Sequence, residues 1–218
     1  VKNLLHLLEA RYRAAKTLQV MFLERYTENG HLVRVESGTA YFRRPGKMRW
    51  EYEAPEKNLF LVDGKTTWFY VPADHTVTRV PAKESTDWRT PLALLAGETK
   101  VSLVCSDVRP ALNESPESPD NSVFYCQAKG AEPKSSQRNR RESSSPDGGG
   151  AILFEIVRQT GDLVRVRIKD PGGVEIEFRF ANWQIDPPVS DSLFRFSVPP
   201  GVAIVNGELP AGQNVVNP

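Results

Sequence analysis

Two glutamates spaced two residues apart are the first candidates for acid–base chemistry in this sequence. Glu175 and Glu177 stand in an alternating run, and because successive side chains of a strand point to opposite faces, both point to the same face. Paired carboxylates can act as general acid and general base. Arg179 follows on that face, so the pattern favours a solvated charged face over a catalytic pair.

The other residue types that perform chemistry do not fall into catalytic or metal-binding spacings. His6, His31 and His75 stand in separate contexts, and no pair has the spacing of a two-histidine metal site. No serine stands in a Gly-x-Ser-x-Gly turn. The sequence therefore predicts no catalytic residue, no metal and no cofactor. We interpret Asp63 and Asp74 as turn residues, a role for which short polar side chains are suited.

The two cysteines, Cys105 and Cys126, belong to two strand-like runs separated by a polar connection that contains proline. Neighbouring antiparallel strands would bring the two thiols within bonding range. In an oxidising compartment they would pair, whereas in a reducing cytosol they would stay free. The alternative is two buried, unpaired thiols that act as small apolar side chains.

Large side chains alternate with charges in residues 48–53. Met48, Trp50 and Tyr52 point to one face of a predicted strand, and the charged residues between them point to the other. The predicted strands 59–62 and 66–71 flank an Asp-Gly-Lys turn, and Asp-Gly between two apolar runs is a strong hairpin signal. Trp68 and Tyr70 lie in the second of these strands. In an arbitrary β domain, such a set of large side chains would be core.

The elements that position these residues are one helix followed by many short strands. Leu4, Leu8 and Tyr12 repeat at a spacing of four residues and predict an amphipathic N-terminal helix. A second short helix is predicted over 92–96, after a Thr-Pro start signal and before a glycine. Strands are predicted at 20–26, 32–42, 48–53, 59–62, 66–71, 76–80, 101–108, 122–128, 151–158, 163–169, 174–181 and near 193–198. This pattern favours a sandwich or barrel over alternating βα units.

Composition excludes several classes of protein. The chain has 218 residues, with 28 Lys and Arg against 27 Asp and Glu, so its net charge of +1 argues against a nucleic-acid partner. This length suffices for one domain with a substantial core. No run approaches the roughly 18 apolar residues of a membrane helix. The chain begins at Val1 with no initiator methionine or signal peptide, so its start does not decide whether the protein is exported.

Residues 130–150 differ in composition from the rest of the chain. Apart from glycine, Ala131 is their only apolar residue. Such a segment cannot bury enough surface to order itself, so we expect a flexible hairpin loop inserted into a single domain that spans residues 1–218.

Residues 42–70 contain a characteristic series of motifs: Arg44-Pro45, Trp50, Pro55, Val62-Asp63-Gly64-Lys65 and Trp68-Phe69-Tyr70. This series resembles that of the LolA family of periplasmic outer-membrane lipoprotein carriers. Residues 90–95 are similar to the start of the family's lid helix, and residues 193–196 and 199–202 to its C-terminal strand and exit. Weaker agreement extends over residues 4–205, apart from the insertion.

The resemblance implies an α+β fold in which an open, incompletely closed antiparallel β-barrel carries a helical lid on its concave face. It implies a lipid cavity lined by Met48, Trp50, Tyr52, Trp68 and Tyr70 of the sheet and by Leu92, Leu94 and Leu95 of the lid. The arginine before the proline, here Arg44, would latch the lid in the empty state. Its neighbour Arg43 would lie on the outer face.

The function implied by this resemblance is non-enzymatic. A monomer in the periplasm would take acylated lipoproteins from an inner-membrane lipoprotein-releasing transporter to an outer-membrane acceptor. The family's periplasmic location raises the expectation of a Cys105–Cys126 disulfide. Two alternatives remain, a lipid-binding or envelope-stress sensor domain on the same fold and a lipid hydrolase.

Overall fold

The computed structural model describes residues 2–85, 105–128, 151–169 and 172–207. The predicted lid residues Leu92, Leu94 and Leu95 and the predicted insertion at 130–150 lie outside these ranges. In the described residues the fold consists of one α-helix and twelve strands, with two short 3₁₀ turns. None of the described helices has the length and apolar character needed to cross a membrane.

Helix α1 spans Lys2–Arg13, as the leucine spacing predicts, with Leu8 and Tyr12 buried. The strands are β1 Thr17–Glu28, β2 His31–Arg43, β3 Lys47–Ala54, β4 Asn58–Val62, β5 Thr66–Val71, β6 Thr76–Pro81, β7 Cys105–Pro110, β8 Asn121–Ala128, β9 Ala151–Val157, β10 Leu163–Lys169, β11 Val174–Ile185 and β12 Ala203–Asn206.

The strands form one sheet in the order β12-β6-β5-β4-β3-β2-β1-β11-β10-β9-β8-β7. Its two edges, β12 and β7, do not pair with each other, so the sheet does not close. The hairpins β2–β3, β3–β4, β4–β5, β5–β6, β7–β8, β8–β9, β9–β10 and β10–β11 are antiparallel, and β12 joins β6 in parallel. The predicted α+β class with an open, mainly antiparallel sheet is therefore confirmed.

Contacts divide the chain into two compact units. The described residues of unit 1 fall within Val1–Arg11, Arg25–Arg34 and Lys100–Arg179, and those of unit 2 within Tyr12–Glu24, Val35–Thr99 and Phe180–Pro218. Helix α1 and strands β1, β2 and β11 each contribute residues to both units. The single domain expected from the sequence stays a prediction.

Unit 1 has one apolar sheet face and one charged sheet face. Cross-strand pairing aligns Phe124 with Phe154, Val166 and Phe178, and Cys126 with Ile152, Ile168 and Ile176. All eight side chains are buried, and the rings of Phe124 and Phe154 stack 5.5 Å apart. This apolar face is the core of the unit.

On the opposite face of unit 1, a row of charges runs across three strands. Glu155 is fully buried, with its Oε1 atom accepting hydrogen bonds from the backbone N–H of Glu117 and from Asn121 Nδ2, at 2.6 and 2.8 Å. Its Oε2 atom lies 2.7 Å from Arg165 Nη2 as an ion pair without hydrogen-bond geometry. Removing one partner of such a buried pair would leave the other charge uncompensated.

The two glutamates considered for catalysis are members of ion pairs on this face. Glu177 Oε1 lies 2.8 Å from Arg179 Nε, and Glu175 pairs with Lys169. The charged face predicted from the spacing is therefore present, but Glu177 is buried rather than solvated. The reason is a long-range contact, because the segment between β7 and β8 bonds to the side chains of this face through Ser115 and Glu117.

The predicted strand near 193–198 is wrong. Residues Asp191–Phe194 form a 3₁₀ turn. Ser190 caps its N-terminal end, because the Ser190 side chain accepts a hydrogen bond from the Ser192 N–H. Several contacts fix the segment to the sheet. Arg49 Nη1 donates to the carbonyl of Leu193, and Lys47 Nζ donates to Asp191. Phe196 packs on Trp68 and Tyr70. The segment thus packs across the sheet and pairs with none of the strands that the structure describes.

Candidate functional site

Trp50 lies at the centre of an aromatic cluster on one face of unit 2. It has no exposed surface, and it packs edge to face against Phe22, Phe42 and Phe180 at ring distances of 4.8, 5.8 and 6.3 Å. These partners come from β1, β2 and β11. Strand alternation places each of them on the same sheet face, since cross-strand neighbours share a face.

Met48 and Tyr52 share this face with Trp50, as the alternation predicts. Both are buried, and the Tyr52 ring meets Phe22 edge to face at 5.0 Å. The Tyr52 hydroxyl donates a hydrogen bond of 2.5 Å to Glu24 Oε2. Glu24 is buried as well, so a carboxylate and a phenol form a polar position within the apolar face.

Trp68 and Tyr70 lie on the opposite face from Trp50, which corrects their assignment to one common lining. The register pairs Trp50 with Phe60 and Phe60 with Phe69, so Trp68 and Tyr70 must point the other way. They pack against Phe196 at 5.4 and 5.6 Å. The structure therefore brings together three of the five predicted sheet residues, Met48, Trp50 and Tyr52. The strand register across the two hairpins places Phe69, and not Trp68 or Tyr70, on the face of Trp50.

Arg44 binds the C-terminal end of helix α1. Its Nη2 atom donates a hydrogen bond of 2.5 Å to the carbonyl of Tyr12, and its backbone N–H donates to the carbonyl of Lys16 at 3.1 Å. Burial lowers the pKa of the guanidinium, and the nearby charge of Arg13 lowers it further. Within the described residues, its Nε–H is shielded from solvent and has no acceptor.

Arg43 has different partners from its neighbour. Its Nη1 atom donates to the carbonyl of Val189 at 2.9 Å, and its Nε atom lies 3.5 Å from Asp191. Arg43 therefore binds the segment that precedes the 3₁₀ turn, while Arg44 binds α1. Adjacent arginines with separate partners make Arg43 a matched control for substitutions of Arg44.

Tyr12 connects the Arg44 contact to the aromatic cluster. Its ring lies 4.9 Å from that of Trp183, which in turn contacts Phe42 and Phe180 at 6.5 and 5.6 Å. The same residue thus gives its carbonyl to Arg44 and its side chain to the cluster. The hydrogen bond from Arg44 and the aromatic contact with Trp183 both act at the end of α1.

Sequence reasoning missed several members of this site, namely Tyr12, Glu24, Trp183 and the three phenylalanines Phe22, Phe42 and Phe180 that pack on Trp50. The signal for Glu24 was present, because it falls on the same parity as Leu18, Val20 and Phe22 in β1, all of which are buried. Tyr12 was recognised only as part of the helix stripe. Trp183 lies beyond residue 181, the predicted end of strand β11, so strand alternation did not assign its side chain to a face.

Cys105 and Cys126 lie on the paired strands β7 and β8, with their Cα atoms 5.3 Å apart. The structure joins them as a disulfide in unit 1. Alkylation of the purified protein remains the direct test of this pairing. Among the described residues, no group of His, Cys, Asp and Glu has the arrangement of a metal site.

Three pockets formed by described residues lie away from Trp50. One of about 800 Å³ adjoins Arg44, and another of about 470 Å³ lies between Tyr41, Arg49 and residues 188–193. A third, of about 500 Å³, belongs to unit 1 and is lined by charged residues of β1, β10 and β11. Met48, Trp50 and Tyr52 line none of these three pockets, and their side chains are buried.

The sequence comparisons find similarity to lipoprotein carriers. The family model described as "Outer membrane lipoprotein carrier protein LolA" matches residues 13–109. An outer-membrane lipoprotein carrier protein of Nitrosospira multiformis is 28% identical over 88% of this chain and 83% of its own length. The protein of the same name from Chromobacterium violaceum is 28% identical over 92% of this chain and 86% of its own length.

Among solved structures, the chain is similar to an uncharacterized conserved protein from Thermus thermophilus. The TM-score is 0.55 at 13% identity, with 94% of this chain and 98% of the other covered. At this identity the likeness concerns the fold alone.

Proposed function

Because this chain is a relative of the outer-membrane lipoprotein carriers of the LolA family, we propose that it carries lipoproteins across the periplasm. In this proposal the aromatic face around Trp50 receives acyl chains. An inner-membrane lipoprotein-releasing transporter supplies the cargo, and an outer-membrane acceptor takes it. The carrier acts as a monomer and catalyses no reaction.

The observation that carries this proposal is the hydrogen bond from Arg44 to the carbonyl of Tyr12. The Tyr12 ring packs on Trp183, which contacts the aromatic cluster, so releasing the end of α1 would uncover apolar surface. A charged hydrogen bond to the last turn of a helix whose Tyr12 packs on this cluster is a suitable latch. We propose that Arg44 holds the empty carrier closed in this way, and that Leu92, Leu94 and Leu95 complete the cover.

The thermodynamics of acyl chains explain why a carrier needs such a latch. Shielding one chain of about 15 methylenes from water, at about 0.8 kcal/mol each, removes on the order of 12 kcal/mol of unfavourable exposure. A carrier with an open, optimally packed pocket would retain its cargo. A closed empty state reduces the net affinity, because binding must also supply the free energy of opening.

Substitution of Arg44 by leucine tests this function. Arg44→Leu removes the donor to the Tyr12 carbonyl, so the open state should become more populated and the affinity for an apolar fluorescent probe should rise. Transfer of lipoprotein to an acceptor should become slower, because the cargo is then held more tightly. The measurements are probe titration and the rate of hand-off with the full chain.

Arg43→Leu is the matched control, since it removes an adjacent arginine whose hydrogen bond and ion pair go to Val189 and Asp191 rather than to α1. Equal effects of the two substitutions would contradict the role of Arg44 as a latch. Unchanged probe affinity and hand-off rate in Arg44→Leu would contradict it as well. Mass spectrometry of molecules that co-purify with the protein from its native envelope tests the cargo class. Recovery of acylated lipoproteins supports the carrier, and recovery of a single folded protein partner without acyl groups contradicts it.

A further inference from the structure

The pocket of about 800 Å³ beside Arg44 contains more positive than negative side chains. Three cations, Lys16, Arg43 and Arg44, line it together with one carboxylate, that of Asp186. Thr17 and residues 187–190 complete the lining. An excess of positive charge in a concave site raises the local concentration of anions.

The carboxylate of Asp186 already has its own donors. Its Oδ1 atom accepts hydrogen bonds from the backbone N–H groups of Lys16 and Thr17, at 2.6 and 3.1 Å. The bond from Thr17, and then that from Lys16, lower the pKa of this carboxyl group. Asp186 therefore stays ionised and is directed to the backbone, where it fixes the turn into β1.

The acidic partner of Arg43 is also shared. Asp191 lies 3.5 Å from Arg43 Nε but only 2.7 Å from Lys47 Nζ. Within the described part of the chain, neither Lys16 Nζ nor Arg44 has an ion pair. The pocket thus presents Arg44, which has no ion pair among the described residues, and Lys16, whose charge acts on Asp186 from beyond ion-pair distance. The third cation, Arg43, has a partner that lies closer to Lys47.

Arg44 also has unused hydrogen-bonding capacity. A guanidinium carries five N–H donors, and the Nη2 bond to the Tyr12 carbonyl uses one of them. The Nε–H is buried without an acceptor among the described residues, and an unsatisfied buried donor is unfavourable. Guanidinium and ammonium groups together are the usual recognition elements for phosphate oxygens.

We propose that this pocket binds a phosphate-type oxyanion through Lys16, Arg43 and Arg44. Free phosphate and the headgroup of an acidic phospholipid both carry this chemistry. A bound oxyanion competes with the Tyr12 carbonyl for the guanidinium of Arg44, so anion binding loosens the end of α1. This coupling rests on the proposed function: a carrier that meets an anionic membrane surface would be opened there.

Anion binding is tested with the full chain and two lysine variants. Inorganic phosphate is titrated calorimetrically, and co-sedimentation is measured with vesicles of phosphatidylglycerol and of phosphatidylcholine. Lys16→Gln removes one pocket charge but keeps the backbone N–H that binds Asp186, and it should weaken phosphate binding by about tenfold. Lys57→Gln makes the same charge change at an exposed position outside the pocket and should alter binding less than about twofold.

The results separate the two sources of the anion. The pocket binds a lipid headgroup if the protein binds phosphatidylglycerol vesicles, if free phosphate displaces it from them, and if Lys16→Gln weakens this binding. Phosphate binding that depends on Lys16, with no preference for phosphatidylglycerol over phosphatidylcholine, assigns it to a soluble anion. The proposal of an anion-binding pocket is overturned if the protein binds no phosphate, or if Lys16→Gln and Lys57→Gln change phosphate binding equally.

The coupling to α1 has its own readout. Phosphate should raise the affinity of the wild-type protein for an apolar fluorescent probe, and it should have a smaller effect in Lys16→Gln. A probe affinity that does not respond to bound phosphate overturns the coupling. Probe binding and lipoprotein hand-off by the wild-type protein without phosphate report on the carrier function alone, so failure of one proposal is distinguishable from failure of the other.

Discussion

Asp63 stabilises the turn between β4 and β5 through three hydrogen bonds. Its Oδ1 atom accepts from the backbone N–H groups of Lys65 and Thr66, each at 2.8 Å, and its Oδ2 atom accepts from Trp68 Nε1 at 3.1 Å. Burial raises the pKa of this carboxyl group, but the three hydrogen bonds outweigh burial and hold the pKa below its ordinary value. The turn role expected from the Asp-Gly pair is thus observed at atomic detail.

These bonds predict a specific acid sensitivity. Because the folded-state pKa is lowered, the stabilisation by Asp63 is complete above the unfolded value of about 3.9 and is lost as pH falls through the folded pKa. Asp63→Asn should lower the free energy of unfolding at pH 7 by roughly 1–3 kcal/mol. Below about pH 4 the difference from wild type should shrink, as urea unfolding over a pH series would show.

Asp74→Asn is the control for this experiment. Asp74 is an exposed residue in the turn between β5 and β6, and its side chain has no hydrogen bond within the described residues. The substitution removes the same charge, so it should leave the pH dependence close to that of wild type. Parallel pH curves for both variants and the wild type would contradict the role of Asp63.

Single residues also show where sequence patterns suffice. The face of Met48, Trp50 and Tyr52 follows from alternation alone, which needs only the position of one strand. Whether Trp68 lies on that face depends on the strand register, which the length of each hairpin turn sets. A turn that is one residue longer or shorter would point every side chain of the next strand to the other face. Glu24 was open to prediction, because its parity in β1 places a carboxylate among apolar neighbours.

At the scale of elements, strands with strong turn signals were predicted well. The bounds of β5 and β10 agree with the sequence pattern, and both strands lie between turn-forming residues. Strand β12 was missed because its four residues are exposed and show no alternation of burial. Its pairing with β6 is a parallel contact between distant segments, which local sequence does not encode.

The disulfide joins two neighbouring elements, β7 and β8. In protein exported to an oxidising compartment, intact mass after alkylation without reductant should show no labelling, and two alkylations should appear after reduction. The bond closes a loop with a sequence separation of 21 residues, so the chain-entropy model gives a stabilisation of about 3 kcal/mol. A variant with Cys105→Ala and Cys126→Ala should lose about this amount in urea unfolding. Two alkylations per chain before reduction would contradict the bond.

At the scale of the whole molecule, the two units share secondary-structure elements. Helix α1 and strands β1, β2 and β11 each have residues in both units. A strand that unfolds in one unit interrupts the hydrogen-bond ladder of the same strand in the other. This continuity supports the proposal of a single domain, because cooperative units coincide with elements that cannot open separately.

We therefore expect one cooperative thermal transition, with a calorimetric enthalpy equal to the van't Hoff enthalpy. Substitutions in different units should act on that same transition. Asp63→Asn belongs to unit 2 and the double cysteine variant to unit 1, so scanning calorimetry should show each of them lowering the one Tm. Lys57→Gln, an exposed substitution, serves as the control and should leave the Tm within about a degree or two. Two transitions, each shifted by only one of the variants, would show that the units unfold independently and would divide the chain into two domains.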